Sequence, residues 1–411
     1  MKYASSKAIL LLITLSVLTI FISTNQHRPI SGDLDCNLLS DPIKTMFSTA
    51  LSNKPAIFDY AWFLVKIDNE KIQYFSSQPK LERVHKLVDA LREIEITYPH
   101  KLPEGEYLIA LDDGVNHELP WPVLAFASTK ELVQQRMVVL MPDHDALGGY
   151  EYKFKYVQQA IHNYPWGKKQ AKIFWRGTAN GHDALNIDIY QHPRLNFMKF
   201  LSANQDLDFV DAGFTGYANW FSHYPPYASS ITEVKQKFPP KNMVTVMQSI
   251  QNKYLLDIDG NSCSYSRMAW ILYSNSLLMK HSSNKVQWYY DQLQPNVHYL
   301  PISSDFSNLS QQFAWAESHQ VEVITITANA HNLASAVFNK EAVLQATITA
   351  FEQYNQVTAP FKGTGFDKNI MQQRMLKELN AWTPELSKTY LAAVGLTGNE
   401  GIRPNIIVEK L

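Results

Sequence analysis

Apolar and polar positions change their period along the chain, and each period predicts an element. From Ile57 to Tyr74 the pattern alternates as in strands, with Trp62-Phe63-Leu64-Val65-Lys66-Ile67 and then Lys71-Ile72-Gln73-Tyr74-Phe75. Over residues 80–95, Leu81, Val84, Leu87, Val88 and Leu91 share one face at helical spacing. Tyr107-Leu108-Ile109-Ala110-Leu111 is an apolar run that stops at Asp112-Asp113-Gly114, which predicts a strand and a turn. Val123 to Ala127 and Met137 to Met141 read as buried strands, and Tyr152 to Tyr164 as a helix. A second block opens with the strand Ala171 to Trp175, followed at once by Arg176-Gly177. Leu195 to Leu201 reads as helix and Leu207 to Val210 as strand. Lys253-Tyr254-Leu255-Leu256-Asp257-Ile258 is a strand closed by Asp259-Gly260-Asn261-Ser262, with a helix over Tyr265 to Tyr273. Ser276 to Lys280 and His298 to Ile302 are further strands; Phe306 to Ala316 and Asn329 to Tyr354 read as helices. Strands that alternate with helices predict an α/β fold with parallel sheets built from βαβ units.

Length and composition narrow the picture. With 411 residues there is room for two or three domains. Apolar residues make up 45% and charged ones 18%, so the bulk can bury a core. Lys plus Arg number 37 against 38 Asp plus Glu, which gives no electrostatic reason to expect nucleic-acid binding. The two cysteines, Cys36 and Cys263, cannot build a disulfide framework or a cysteine-rich zinc site. The 9 Trp and 21 Tyr supply flat faces suited to sugars, and equally to a large core. At the N-terminus Lys2 and Lys7 precede an uncharged run, Ala8 to Ile22. It reads as an uncleaved signal anchor or as a cleaved signal peptide, and no small-x-small cleavage signature directly follows it. The lysines ahead of the run place the N-terminus on the cytoplasmic side and the bulk across the membrane.

Three segments carry candidate chemistry. Asp259 to Ser264 lies between a strand and a helix, where free N–H groups and the helix dipole favour a phosphate. There Gly260 permits close backbone approach, Ser262 and Ser264 offer hydroxyls, and Arg267 offers charge. Taken alone, Asp-Gly-Asn-Ser is an ordinary turn with a helix cap. Arg176, before Gly177 at another strand end, suits paired hydrogen bonds to phosphate, and taken alone reads as half of a structural salt bridge. Asp113, at the end of its strand, can act as a general base, while Asp-Asp-Gly by itself is turn chemistry. Asp143-His144-Asp145 matches no dedicated metal-ligand set and reads as loop. The chain contains no Walker loop, no Gly-x-Ser-x-Gly and no His-Glu-x-x-His.

In order along the chain, these segments resemble glycosyltransferase family 90. The resemblance runs through Leu108 to Asp113, Tyr164-Pro165-Trp166-Gly167-Lys168-Lys169, Phe174-Trp175-Arg176-Gly177, Lys253 to Ser262, Ser274 to Lys280 and Trp288-Tyr289-Tyr290. It ends with His298 to Ile302, Asp305 and Leu309, and covers about residues 105–350. The family includes animal protein O-glucosyltransferases, fungal capsule-associated transferases and bacterial lipopolysaccharide-modifying transferases. The Asp-Gly-Asn-Ser-Cys form looks most like the bacterial branch. The resemblance implies a GT-B-like fold: two Rossmann-like lobes with an interlobe cleft. It also implies inverting, metal-independent transfer from a nucleotide sugar, usually a UDP-hexose or UDP-xylose, with no further cofactor. By position, the family's catalytic aspartate falls on Asp113 and its pyrophosphate-binding arginine on Arg176. The donor loop falls on Asp259 to Ser264, with Arg267 one helical turn later. Animal members carry an arginine before the glycine aligned with Gly260, where this chain has Asp259.

The organisation expected is therefore an anchor or signal peptide over 1–30, an acceptor-side lobe over 31–170, a nucleotide-sugar lobe over 171–345 and a C-terminal helical segment and tail over 346–411. Asp113 takes a proton from an acceptor hydroxyl of a glycan, such as lipopolysaccharide core, or of a protein. Arg176, Gly177, Asp259, Gly260, Asn261, Ser262, Ser264, Tyr265 and Arg267 bind the donor, with Tyr265 packing on its base or sugar. The alternative is a non-catalytic sugar- or nucleotide-binding envelope protein of the same fold. A glycosidase gains little support, since adjacent strand residues Asp112 and Asp113 point to opposite faces. The expected location is the membrane, through a single N-terminal anchor. Nucleotide sugars are cytoplasmic in bacteria and imported into eukaryotic secretory compartments, so the side on which the lobes lie stays open.

Overall fold

A computed structural model describes residues 30–31 and, with short gaps, 62–361. The N-terminal apolar run and the tail beyond 361 lie outside the described residues, and so does the expectation of an anchor. Among the described residues, no helix is long and apolar enough to cross a membrane.

The first sheet contains β1 (Ile30–Ser31), β2 (Trp62–Asp68), β3 (Lys71–Ser76), β4 (Gly105–Ala110), β5 (Val123–Ala125) and β7 (Val138–Leu140), in the order β1-β3-β2-β4-β5-β7. It is mixed rather than parallel. β4, β5 and β7 run parallel, but β2 is antiparallel to both β3 and β4. The reason is local: only two residues separate β2 from β3, and a parallel pair needs a crossover of a dozen or more. The helix Glu82–Thr97 covers this sheet with Leu87, Leu91 and Ile94, all fully buried.

The second sheet matches the parallel expectation throughout. It contains β8 (Gln170–Ala179), β9 (Val210–Tyr217), β10 (Asn252–Asp257), β11 (Leu277–His281) and β13 (Leu300–Ile302), in the order β13-β11-β10-β8-β9. Successive residues of a strand face opposite sides. Tyr254 and Leu256 therefore enter the core that holds Trp175, Phe197 and Phe214, while Leu255 joins Phe174, Met268 and Leu272 on the other face. A sheet buried on both faces reads as a continuous apolar run, which is why β10 is so plain in the sequence.

Two features tie the sheets together. β6 (Ala127–Thr129) pairs antiparallel with β12 (Lys285–Gln287), forming a ribbon between segments more than 150 residues apart. The chain also returns: the helix Lys340–Thr358 inserts Leu344, Ile348, Phe351 and Tyr354 into the first core. The Tyr354 hydroxyl receives the Trp121 indole N–H at 3.1 Å and donates to the Pro122 carbonyl at 3.0 Å. Truncating a fully buried aromatic such as Phe351 to Ala would cost about 3–5 kcal/mol. The boundary read at 345 falls inside this helix.

Two secondary-structure elements differ in extent from the sequence reading. The stretch read as one helix over 329–354 is two, Gln320–Val337 and Lys340–Thr358, and the Asn339 side chain caps the second by accepting from the Ala342 N–H at 2.9 Å. The strand expected at Leu207 to Val210 begins only at Val210 and runs to Tyr217. It carries Gly213 and Gly216, residues of poor strand propensity that an edge position tolerates.

Candidate active site

The site lies where the carboxyl end of β4 meets the carboxyl end of β10. Asp113 sits in the bend after β4. Arg83, on the helix Glu82–Thr97, forms an ion pair with Asp113 Oδ1 and donates from Nη1 to the Leu111 carbonyl at 2.7 Å. From the opposite sheet, the Asn261 amide donates to Asp113 Oδ2 at 3.0 Å, and the Tyr265 hydroxyl donates to the Asp113 carbonyl. Burial pushes the Asp113 carboxyl up. The Arg83 charge and the hydrogen bonds from Arg83 and Asn261 outweigh it and hold the group below the ordinary carboxylate range. The base candidate is thus ionised, oriented and in direct contact with the loop after β10.

Two glycines allow this approach. A Cβ on Gly114 would collide with the Ser262 hydroxyl and lie 3.0 Å from the Ala127 carbonyl oxygen. A Cβ on Gly260 would fall 2.6 Å from Asn180 Oδ1 and 3.0 Å from Arg194 Cζ. The loop is held from behind by Lys285 of the ribbon, whose ammonium donates to the Gly260 and Asn261 carbonyls at 3.2 Å each. Asn116 adds a bond from its amide to the Asn261 carbonyl at 3.3 Å.

Two guanidinium groups belong to this region: Arg194 lies against Gly260, and Arg267 is close enough to repel Arg194. Arg267 is in the first turn of the helix Tyr265–Tyr273, and its buried Nη1 has no hydrogen-bond partner. Ser264, at the N-cap, makes no side-chain cap bond to this helix, so its first N–H groups stay open. Arg194, on the helix Pro193–Ala203, donates from Nε and Nη2 to the Ile258 carbonyl at 3.2 Å each. Its Nη1 donates to the Thr178 carbonyl at 3.0 Å and to Asn180 Oδ1 at 2.7 Å. One of its five N–H groups is left over. Burial and repulsion from Arg267 push Arg194 down to about 10, so it stays charged at neutral pH. Burial likewise lowers Arg267. The buried Asp257 carboxylate partly offsets both charges, and Asp259 and Asp113 that of Arg194, but the closer cation to Asp257 and Asp259 is Lys280, whose ammonium lies 3.7 Å from each. The result is a pair of partly desolvated cations at a helix N-terminus, the electrostatics an anion such as a diphosphate requires.

The structure redistributes the residues read from the sequence. Asp113, Gly260, Asn261, Ser262, Tyr265 and Arg267 come together. Asp259 is in the same loop, but its side chain turns away, accepting a hydrogen bond from Ser283 beside Lys280. Burial raises Asp259, and the charges of Lys280 and Lys285 with the Ser283 bond outweigh that and lower it. Arg176 is not at the loop. It pairs with Asp211 through Nη2 at 2.8 and 3.0 Å, on the β9 side of β8 and away from β10. Lys241 meets the same carboxylate at 3.1 Å. Gly177 leaves room for the Trp175 indole, which a Cβ would approach to 2.8 Å. Tyr265 packs edge-on against His144, with centroids 5.4 Å apart, and anchors the Asp113 backbone with its hydroxyl. Asp143 caps the short helix His144–Leu147, accepting from the Asp145 N–H at 2.9 Å. Among the described residues, no group of three or more His, Cys, Asp or Glu could hold a metal ion.

Sequence reasoning missed Arg83 and Arg194. Each is a charged residue on the buried side of a helix. Arg194 directly follows Pro193 at a helix start, and that context alone does not reveal that it points to a strand end 64 positions later.

The family model for Glycosyl transferase family 90 matches residues 93–378. The chain belongs to glycosyl transferase family 90. This agrees with the resemblance carried by the motifs between 105 and 350. Curated relatives include protein O-glucosyltransferase 2 of Danio rerio, 26% identical over 282 residues, covering 65% of this chain and 51% of that protein. O-glucosyltransferase LpsA of Dichelobacter nodosus is 23% identical over 197 residues, covering 48% of this chain and 53% of that protein. The chain spans about half the length of these relatives. Among solved structures, Anabaena HepE in complex with UDP-glucose aligns with 58% of this chain and 64% of its own, at 10% identity and a TM-score of 0.34, which is too low to count as a shared fold.

Proposed function

We propose that this family 90 chain is an inverting glycosyltransferase that moves a hexose or pentose from a nucleotide sugar to an acceptor hydroxyl, with Asp113 as the base. The observation that carries this reading is the 3.0 Å bond between Asn261 and the Asp113 carboxylate. It puts an ionised acid from one sheet against a loop from the other, where, among the described residues, neither Arg194 nor Arg267 forms a direct ion pair with a carboxylate. In this reading the donor's diphosphate lies against Arg194, Arg267 and the open N–H groups that begin the helix Tyr265–Tyr273. The acceptor oxygen forms its bond to the anomeric carbon from the side opposite the diphosphate. The carbon–oxygen bond to phosphate breaks, and the acceptor proton passes to Asp113. A carboxylate held below its usual range is a weak base. It suffices here because the hydroxyl becomes strongly acidic as it bonds to the anomeric carbon. The two guanidiniums take up charge as it develops on the leaving diphosphate, so the arrangement needs no metal for that task. The names of the relatives favour glucose as the sugar, and a UDP donor is the choice to test first. A glycan acceptor such as lipopolysaccharide core, a protein acceptor, and membrane attachment through residues 8–22 belong to the same proposal.

The test is release of UDP from UDP-glucose, together with the rise in unfolding midpoint that UDP-glucose produces. Asp113→Asn is expected to abolish turnover and keep the rise. A variant that turns over at the wild-type rate would show that Asp113 is not the base. Binding by the wild-type protein without turnover, with candidate acceptors present, would favour the non-catalytic reading.

A further inference from the structure

The loops bearing Asp113 and Asn261 are joined by more than the bond between those two side chains. The Val115 N–H donates to the Ala127 carbonyl at 2.9 Å, and the Ser128 hydroxyl donates to the Val115 carbonyl at 2.7 Å, which fixes the Asp113 loop to β6. β6 pairs with β12, where Lys285 lies opposite Thr129. The Lys285 ammonium holds the Gly260 and Asn261 carbonyls, and a bond from the Gly260 N–H to the Ser262 carbonyl at 2.9 Å closes a turn with Asn261 at its apex. The Asn261 amide then returns to Asp113. These contacts form a ring, so the ribbon sets the distance at which the amide meets the carboxylate.

The contact itself is directed. An ionised carboxylate only accepts, so the Asn261 amide nitrogen is the atom that must face it. Arg83 takes Oδ1 from the Asp113 side and Asn261 takes Oδ2 from the opposite loop, and a carboxylate held at both oxygens resists rotation. The Asp113 side chain is still partly exposed, and each oxygen has a second lone pair, which leaves room for an acceptor hydroxyl. The charged and titratable groups that act on Asp113 are Arg83, His144, Tyr265 and Arg194, with Asp112 beside it in the chain. Burial and the Arg83 charge keep His144 well below its usual value, so it is neutral near pH 7. Asn261 differs from these groups in carrying no charge. It acts on Asp113 through one directed bond, and that bond is lost as soon as the loops part.

We propose that Asn261 is a positioning residue for the base rather than a ligand of the donor: it fixes the Asp113 carboxylate from the opposite loop, so the base is aligned only while the two loops touch. This assignment rests on the reading of Asp113 as the base. The test is the pH profile of UDP release by the full chain carrying Asn261→Ala or Asn261→Asp, with kcat and the KM for UDP-glucose separated. The Asn261 bond lowers Asp113, so its loss in Asn261→Ala should move the acid limb to higher pH by about one unit, the size of a charge-assisted hydrogen bond. The kcat should fall about tenfold while KM stays within about twofold, because the bond serves the base and not donor binding. Asn261→Asp keeps the size of the side chain but sets a like charge against Asp113, so it should move the limb further. It also decides the matter alone if the smaller side chain prevents folding. An acid limb that stays in place overturns the assignment, and so does a tenfold rise in KM with kcat retained, which would make Asn261 a donor ligand. An inactive wild type, or an active Asp113→Asn, overturns the base reading and this assignment together, whereas an unmoved limb in an enzyme that needs Asp113 overturns this assignment alone.

Discussion

Removing the Arg83 guanidinium, as Arg83→Met, isolates the contact that holds Asp113. Two interactions disappear. At a generic ion-pair separation of about 4 Å and an effective dielectric near 20, two unit charges attract by roughly 4 kcal/mol. The Asp113 side chain is 40% exposed and that of Arg83 21%, so water screens the pair strongly. With that screening and the entropy of ordering, about 1–2 kcal/mol remains. The bond from Arg83 to the buried Leu111 carbonyl adds about 1 kcal/mol. Arg83→Met should therefore destabilise the protein by about 2–3 kcal/mol at neutral pH. The ion-pair share depends on pH. Asp113 is held below its usual range in the folded state, so its contribution is fully present above the unfolded carboxyl's value and fades as pH falls through the folded one. In acid the variant and the wild type should differ only by the carbonyl bond. Urea titrations at neutral pH and at the lowest pH where both still fold measure this directly. Activity should move as well: with Arg83 gone, the main opposition to burial at Asp113 is lost and the Asn261 bond remains, so the acid limb of the UDP-release profile should shift to higher pH. Arg83→Lys restores the charge but offers one head group to two acceptors, so it should fall between. A stability difference that does not change with pH, together with an unmoved acid limb, would refute the coupling of Arg83 to the base.

Arg194→Met and Arg267→Met should each lower UDP-glucose affinity about tenfold or more, the loss of a charge-assisted contact, with calorimetry as the measurement. Unchanged affinity in both would move the diphosphate elsewhere. Arg176→Met should behave differently. Its Asp211 partner is partly exposed and retains Lys241, so stability should fall by about 1 kcal/mol while the UDP-induced rise in midpoint stays intact; loss of that rise would return Arg176 to the donor site. Gly114→Ala should cost about 1–3 kcal/mol by overpacking against Ser262 and Ala127 and should impair turnover, which a urea titration and a UDP-release assay would check.

The sequence by itself determined the elements with strong periodicity: β10, the helix Tyr265–Tyr273 after it, and the strand that delivers Asp113. Such elements are legible because a strand buried on both faces, or a helix with one buried stripe, records its surroundings residue by residue. The ordered motifs likewise determined the family. The tertiary structure alone decided which charges meet. Arg176 read as a phosphate ligand from an apparent strand end and from the family resemblance, but β8 continues to Ala179, and the neighbouring strand supplies Asp211, the salt-bridge partner that the residue taken alone suggested. Arg194 and Arg83 carried no local signal, since their partners lie 64 and 30 positions away. The mixed first sheet, the ribbon of β6 and β12, and the return of Phe351 and Tyr354 to the first core are also long-range facts. A side chain's periodicity tells which way it faces, but an ion pair or a cavity wall depends on what another segment brings to that face, and no local pattern encodes it.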